Sequence, residues 1–242
     1  MDFTLAKYRE LLLALKDYGE VVLRHDVDMK PPNSLKTARI EKELGWKAVY
    51  YFRAVPESWD ETIIREIASM GHEIGYHYES LTTCNGDLEA AYRDFCEHLE
   101  KLRKLAPVSS ICMHGSPKSK WDSRDLWKHY DYRQLGIVSE PYLDTDFSKV
   151  FYLTDTGRRW DGYKVSVRDK IPQFQEEWVK RGWTYHATDD ILKAIEEKTL
   201  PTHLMMTTHP QRWTDDTWPW LWELASQSVK NVAKMALVKK NT

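Results

Sequence analysis

The sequence predicts an α/β fold on a mostly parallel sheet, and three observations carry that expectation. First, short apolar runs alternate with helix-length amphipathic segments along the chain, the trace left by strand–helix–strand units. Second, several of these runs end in Asp or His. Residues 21–23 lead into Arg24-His25-Asp26-Val27-Asp28, residues 73–76 into His77-Tyr78-Glu79, residues 108–113 into His114-Gly115-Ser116-Pro117, and residues 204–208 into His209-Pro210. Parallel strands bring such ends to one rim, where catalytic residues collect in α/β barrels. Third, 242 residues with 42% apolar content suit one large domain with a full core.

The elements follow in order. Residues 5–18 repeat Leu and Tyr at helical spacing and stop at Gly19; residues 21–24 form the first strand. Residues 29–32 read as a loop because Pro31-Pro32 interrupts regular structure. Asn33 or Ser34 then caps a helix to Leu44, ended by Gly45. Residues 48–52 are a strand rich in β-formers, 60–70 a helix closed by Gly71, and 73–78 the third strand. A long amphipathic helix covers 87–105, and a fourth strand covers 109–113. A short helix is expected at 123–129. Residues 130–170 are irregular, with short strands at 136–139 and 149–153, followed by a short helix at 173–180. Thr188 caps a helix over 190–198, residues 203–207 are the last strand, and 217–238 form a terminal helix. No repeat, low-complexity tract or Pro/Gly-rich linker divides the chain, so a single domain over 1–242 is expected.

Net charge is -2, with no long run of one sign, which gives no indication of nucleic-acid binding. The cysteines Cys84, Cys96 and Cys112 are odd in number and lack a C-x-x-C pair. That pattern fits a reducing compartment rather than a disulfide framework. Residues 1–7 lack a signal-peptide core, and no apolar run is long enough to span a bilayer. These features lead us to expect a cytoplasmic protein without a membrane span. The eleven tryptophans are read mainly as packing residues, although aromatic faces also stack on sugars.

Asp and His converging on one rim point to a hard-to-borderline metal, with zinc the first expectation. Asp26 and Asp28 are two apart, which along a strand puts both carboxylates on one side, roughly 6.5–7 Å apart. Like charges that close call for a cation or a shared proton. His77 is a candidate ligand, and Glu79 either a ligand or a residue that orients one. His72, at the start of that strand, reads as structural. His114 either binds the metal or contacts substrate, with Gly115 permitting close backbone approach. His209 is a candidate general acid. Asp155, after the 149–153 run, either orients His209 or binds sugar hydroxyls. No dinucleotide fingerprint, phosphate loop or nucleophile elbow is present, and Cys84 and Cys112 are read as structural.

With these residues in view, the chain resembles the polysaccharide deacetylase (NodB-like) superfamily, in a divergent branch. His25-Asp26-Val27-Asp28 resembles the family's first motif, and Gly71-His72-Glu73-Ile74-Gly75-Tyr76-His77 matches the usual opening of the second. His209 takes the place of the histidine after the last strand, and the similarity spans residues 21 to about 213. The resemblance implies a distorted (β/α) barrel of seven strands and a divalent metal. It also implies hydrolysis of an N- or O-acetyl group on a sugar, with Asp26 as base and Asp28 as metal ligand. Three departures stand out. Leu81 occupies the position of the second motif's other histidine, His114 lies near the place of the Arg-x-Pro motif, and Val27 separates aspartates that the family has adjacent. Glu79 or His114 is then left to complete the ligand set.

The function expected is that of a metal-dependent carbohydrate deacetylase acting on an acetylated sugar or polysaccharide intermediate. Asp26 and His209 are catalytic, and Asp28, His77 and His114 hold the metal. Arg24, Glu79, Asp155, Trp160 and Trp213 lie at the substrate. The alternatives are a non-catalytic carbohydrate-binding protein on the same fold, suggested by Leu81, and a different metal-dependent hydrolase.

Overall fold

The computed structural model describes residues 1–116, 119–166 and 168–240; Pro117, in the expected turn after His114, lies outside them. Among the described residues all strands are parallel and join one six-stranded sheet in the spatial order β4-β3-β2-β1-β6-β5. The strands are β1 (Glu20–Val27), β2 (Ala48–Phe52), β3 (Glu73–Tyr78), β4 (Ile111–Met113), β5 (Phe151–Thr154) and β6 (His203–Thr208). The helices are α1 (Leu5–Leu15), α2 (Pro31–Leu44), α3 (Glu61–Ser69), α4 (Ser80–Thr83), α5 (Leu88–Arg103), α6 (Pro141–Asp144), α7 (Pro172–Lys180), α8 (Thr188–Glu196) and α9 (Thr217–Lys240). None of them is long and apolar enough to cross a membrane.

Parallel neighbours need crossover connections, and α2, α3 and α5 supply them between the first four strands. α2 buries a mixed face of Pro31, Ser34, Thr37, Ala38, Ile40 and Glu41, whereas α3 and α5 each bury an apolar stripe. That of α3 is Ile63, Ile64 and Ile67, and that of α5 is Ala91, Phe95, Leu99 and Leu102. Side-chain caps start them: Asp60 accepts from Ile63 N, and Asp87 from Ala90 N.

The sheet curls. In the strand order β4 lies three positions from β1, which in a flat sheet is about 14 Å. Yet Arg24 Nη2 on β1 donates to Cys112 Sγ on β4 at 2.9 Å, and its guanidinium carbon lies 5.9 Å from the Tyr152 ring on β5. The open side of the curl falls between the edge strands β4 and β5.

Four expectations are corrected. The sheet has six strands rather than seven. The run expected as a strand at 136–139 makes a single bridge, Ser139 to Ser110 on the outer edge of β4. Gly136 turns the chain at φ 72° before it, and Pro141 opens α6 immediately after. Pro31 and Pro32 are not a loop but the first turn of α2, where a missing N–H costs nothing. Thr188 does not cap α8 from outside but begins it; Asp190 accepts from His186 N and Ala187 N, both at 2.9 Å.

Candidate metal centre

Strand alternation sorts the residues of β1. His25 points to the helical layer, where its Nε2 lies 2.7 Å from Glu41 Oε1 of α2. Arg24 and Asp26 point into the curl, and Asp28 follows just past the strand end. His77 ends the inward face of β3, and His114 and His209 directly follow β4 and β6. Together with Asp26, Asp28, Asp169 and Arg212 these histidines line a cavity of about 120 Å³.

Asp28, His77 and His114 offer ligand atoms that all lie within 4.8 Å of one another. His77 Nε2 is 3.6 Å and His114 Nε2 3.5 Å from Asp28 Oδ1. The other nitrogen of each ring is already committed. His77 Nδ1 is 2.9 Å from the carbonyl oxygen of Cys112, and His114 Nδ1 is 2.9 Å from Glu79 Oε2. Both partners only accept, so each Nδ1 donates and each ring turns its Nε2 toward Asp28. Asp28 Oδ1 is buried with no hydrogen-bond partner among the described residues. Two imidazole Nε2 atoms and an unpartnered carboxylate oxygen converge on one point, and two His with one carboxylate form an open catalytic donor set. The residues therefore fit a divalent metal.

The electrostatics agree. Burial pushes the Asp28 carboxyl up, but the adjacent His77, with His114 and His209, holds it well below the usual carboxylate range. For His77, burial favours the neutral ring, and the neighbouring Asp26 and Asp28 outweigh it and raise its pKa. Glu79 also resists burial: His114 and Arg53 bring it to about 2. Arg53 Nη2 lies 2.6 Å from Glu79 Oε1, locking the carboxylate that orients His114.

A second trio, Asp26, His77 and Cys112, also converges. Arg24 Nη2 donates to both oxygens of Asp26, at 3.0 and 3.2 Å, and to Cys112 Sγ at 2.9 Å. A buried guanidinium in that position opposes a metal ion there. Asp26 is instead a fixed acceptor at the cavity wall, 3.9 Å from His77 Nε2.

His209 is held from behind. Its Nδ1 is 2.6 Å from Asp155 Oδ1, and its Nε2 faces Asp28 Oδ2 at 3.8 Å. Asp155 is fully buried and also accepts from Arg212 Nη1 at 2.6 Å and Trp213 Nε1 at 2.8 Å. Burial pushes its carboxyl up, and Arg212 and His209 bring it below its ordinary value. Of the two roles open to Asp155, the geometry matches orientation of His209, because its oxygens are used up away from the cavity.

Other expected residues sit differently. Trp160 and Trp213 are buried, packed with each other and with Phe3, so neither face is free to stack on a sugar. Arg24 lies beneath Asp26, 1% exposed, and is closed off from a substrate. Glu79 is engaged by Arg53 and His114. His72 sits behind the sheet, with Nε2 3.0 Å from Ala38 O. Leu81 is buried in the core on α4.

Sequence reasoning missed Arg53, Arg212 and Asp169. Arg53 directly follows the apolar run of β2, so the strand-end rule that found the histidines also reaches it. Asp169 lies in the irregular segment with no signal around it. It accepts from the hydroxyls of Tyr142 and Thr154 at 2.8 Å, and from those of Tyr152 and Thr156.

No protein-family model and no curated protein matches the chain. Among solved structures it is similar to Bacillus subtilis PdaA, a family 4 carbohydrate esterase. The TM-score is 0.43 and the identity 11%, covering 91% of this chain and 84% of that one.

Proposed function

We propose that the protein is a divalent-metal-dependent hydrolase that removes acetyl groups from a sugar or polysaccharide intermediate. The observation that carries the hydrolytic reading is the convergence of His77 Nε2, His114 Nε2 and the unpartnered Asp28 Oδ1, with Asp26 and His209 fixed on the same cavity. The acetylated-sugar class rests on the motif resemblance at Gly71 to His77 and His25 to Asp28.

Asp28, His77 and His114 would hold the ion, and their mixed oxygen and imidazole donors suit zinc. When bound, such an ion supplies Lewis-acid chemistry, polarising a carbonyl and acidifying water. Asp26, held by Arg24, takes the proton of the water that attacks the acetyl carbonyl. His209, oriented by Asp155, delivers a proton from Nε2 to the departing amine or alkoxide. Water is thereby split across the acyl bond, giving acetate and the free amine or hydroxyl. Asp155 stabilises the positive ring during the transfer.

Acetate release from N-acetylated chito-oligosaccharides and from O-acetylated sugars, measured on zinc-loaded protein, tests the proposal. Turnover is expected to fall at least about 100-fold in Asp26→Asn, the scale of general-base catalysis. Metal-loaded protein that releases no acetate from either class, or an Asp26→Asn variant with full turnover, would overturn it.

A further inference from the structure

The last helix carries an apolar stripe that no other described residue covers. Along α9, Trp218, Trp222, Ala225, Val229 and Val232 follow steps of 4, 3, 4 and 3 residues, the spacing of a coiled-coil seam. All five are exposed: Trp218 is 81%, Trp222 74%, Val229 73% and Val232 66% accessible. The opposite face is used. Glu223 and Gln227 are buried, Trp220 Nε1 donates to Asp2 O at 2.7 Å, and Asn231 Nδ2 donates to Gly157 O at 2.8 Å. The helix is therefore pinned to the body with its seam facing out.

We propose that this seam pairs with the same seam of a second copy of the chain, in antiparallel orientation about a two-fold axis at Ala225. Size complementarity favours this occupant. An axis at Ala225 sets Trp218 against Val232 and Trp222 against Val229, large against small. A parallel pairing stacks Trp218 on Trp218 and Trp222 on Trp222. The arrangement is self-complementary, as a two-fold interface requires. Positions flanking the seam are Leu221, Ser226 and Ser228, so no charge opposes pairing and no basic rim there faces an anionic lipid surface. The five seam residues and Leu221 expose on the order of 700 Å² per copy, so a pair buries at most about 1,400 Å², an upper bound that reaches the range of stable interfaces.

Sedimentation velocity on the full chain between low- and high-micromolar concentration tests the proposal, with Val229→Glu and Trp222→Glu as variants. Wild type is expected to sediment as a dimer. Each variant, carrying a charge at an exposed position, is expected to dissociate at least tenfold more readily, with unchanged circular dichroism. A wild type that stays monomeric, or variants that remain dimeric, overturns the proposal. So does a monomer that pellets with phosphatidylcholine–phosphatidylglycerol vesicles through Trp218 and Trp222, which would make the seam a membrane contact.

Discussion

At the residue scale, the chemistry of the rim is set one layer behind it. Cys112 O, Glu79 and Asp155 each accept an Nδ1–H hydrogen bond from one histidine and so aim three Nε2 atoms into the cavity. Removing such a partner loosens the ligand without deleting it. Glu79→Ala is expected to weaken zinc binding about 10–100-fold, as outer partners of metal ligands do; chelator competition reads this directly, and an unchanged affinity would count against His114 as a ligand. Asp169 gives a pH prediction. Burial pushes its carboxyl up, but the charge of His209 and the hydroxyls of Thr156 and Tyr152 bring it to about 2. Because the folded value lies below the unfolded one, its contribution is fully present above about pH 4 and is lost as pH falls toward 2. It amounts to roughly 2 kcal/mol at neutral pH. Urea unfolding of Asp169→Asn should therefore show a flatter dependence on pH across that window than wild type, with the two converging at its acid end.

At the element scale, the strands place the site because they alternate. One side of β1 gives Arg24 and Asp26 to the curl, and the other gives His25 to a buried network with Glu41, Tyr8, Tyr50 and Thr208 that joins α1, α2, β2 and β6. Gly75 on β3 leaves room for a neighbour. A Cβ there would sit 2.3 Å from Cδ1 of Tyr51, a buried ring 5.5 Å from the Arg24 guanidinium. Gly75→Ala is expected to cost about 1–3 kcal/mol through overpacking, measured by denaturant unfolding; a neutral effect would show that Tyr51 moves freely. The strand ends were legible in the sequence because apolar runs stop abruptly at charged residues. The segment between Tyr130 and Lys170 was not, because its order comes from side-chain ties such as those on Asp169 rather than from periodicity. The two tryptophans expected at the sugar were misplaced for a related reason: an indole reads the same in sequence whether it packs in the core or faces a ligand.

At the scale of the whole molecule, curling is what makes a site from separate strand ends. A flat sheet would hold the β4 rim apart from the neighbouring rims of β1 and β6, whereas the curl brings Asp28, His114 and His209 around one cavity. The class of fold and the general location of the site follow from the sequence pattern, because parallel strands share a rim. That His114 joins His77 and Asp28 as a candidate donor does not follow, because His114 reaches Asp28 only through the curvature of the sheet. Zinc uptake measured by equilibrium dialysis and elemental analysis, on wild type and His114→Ala, tests this most directly. The account predicts one equivalent in wild type and a loss of at least about 100-fold in affinity in the variant. Wild type that takes up no metal, or a variant that binds it equally well, would contradict it.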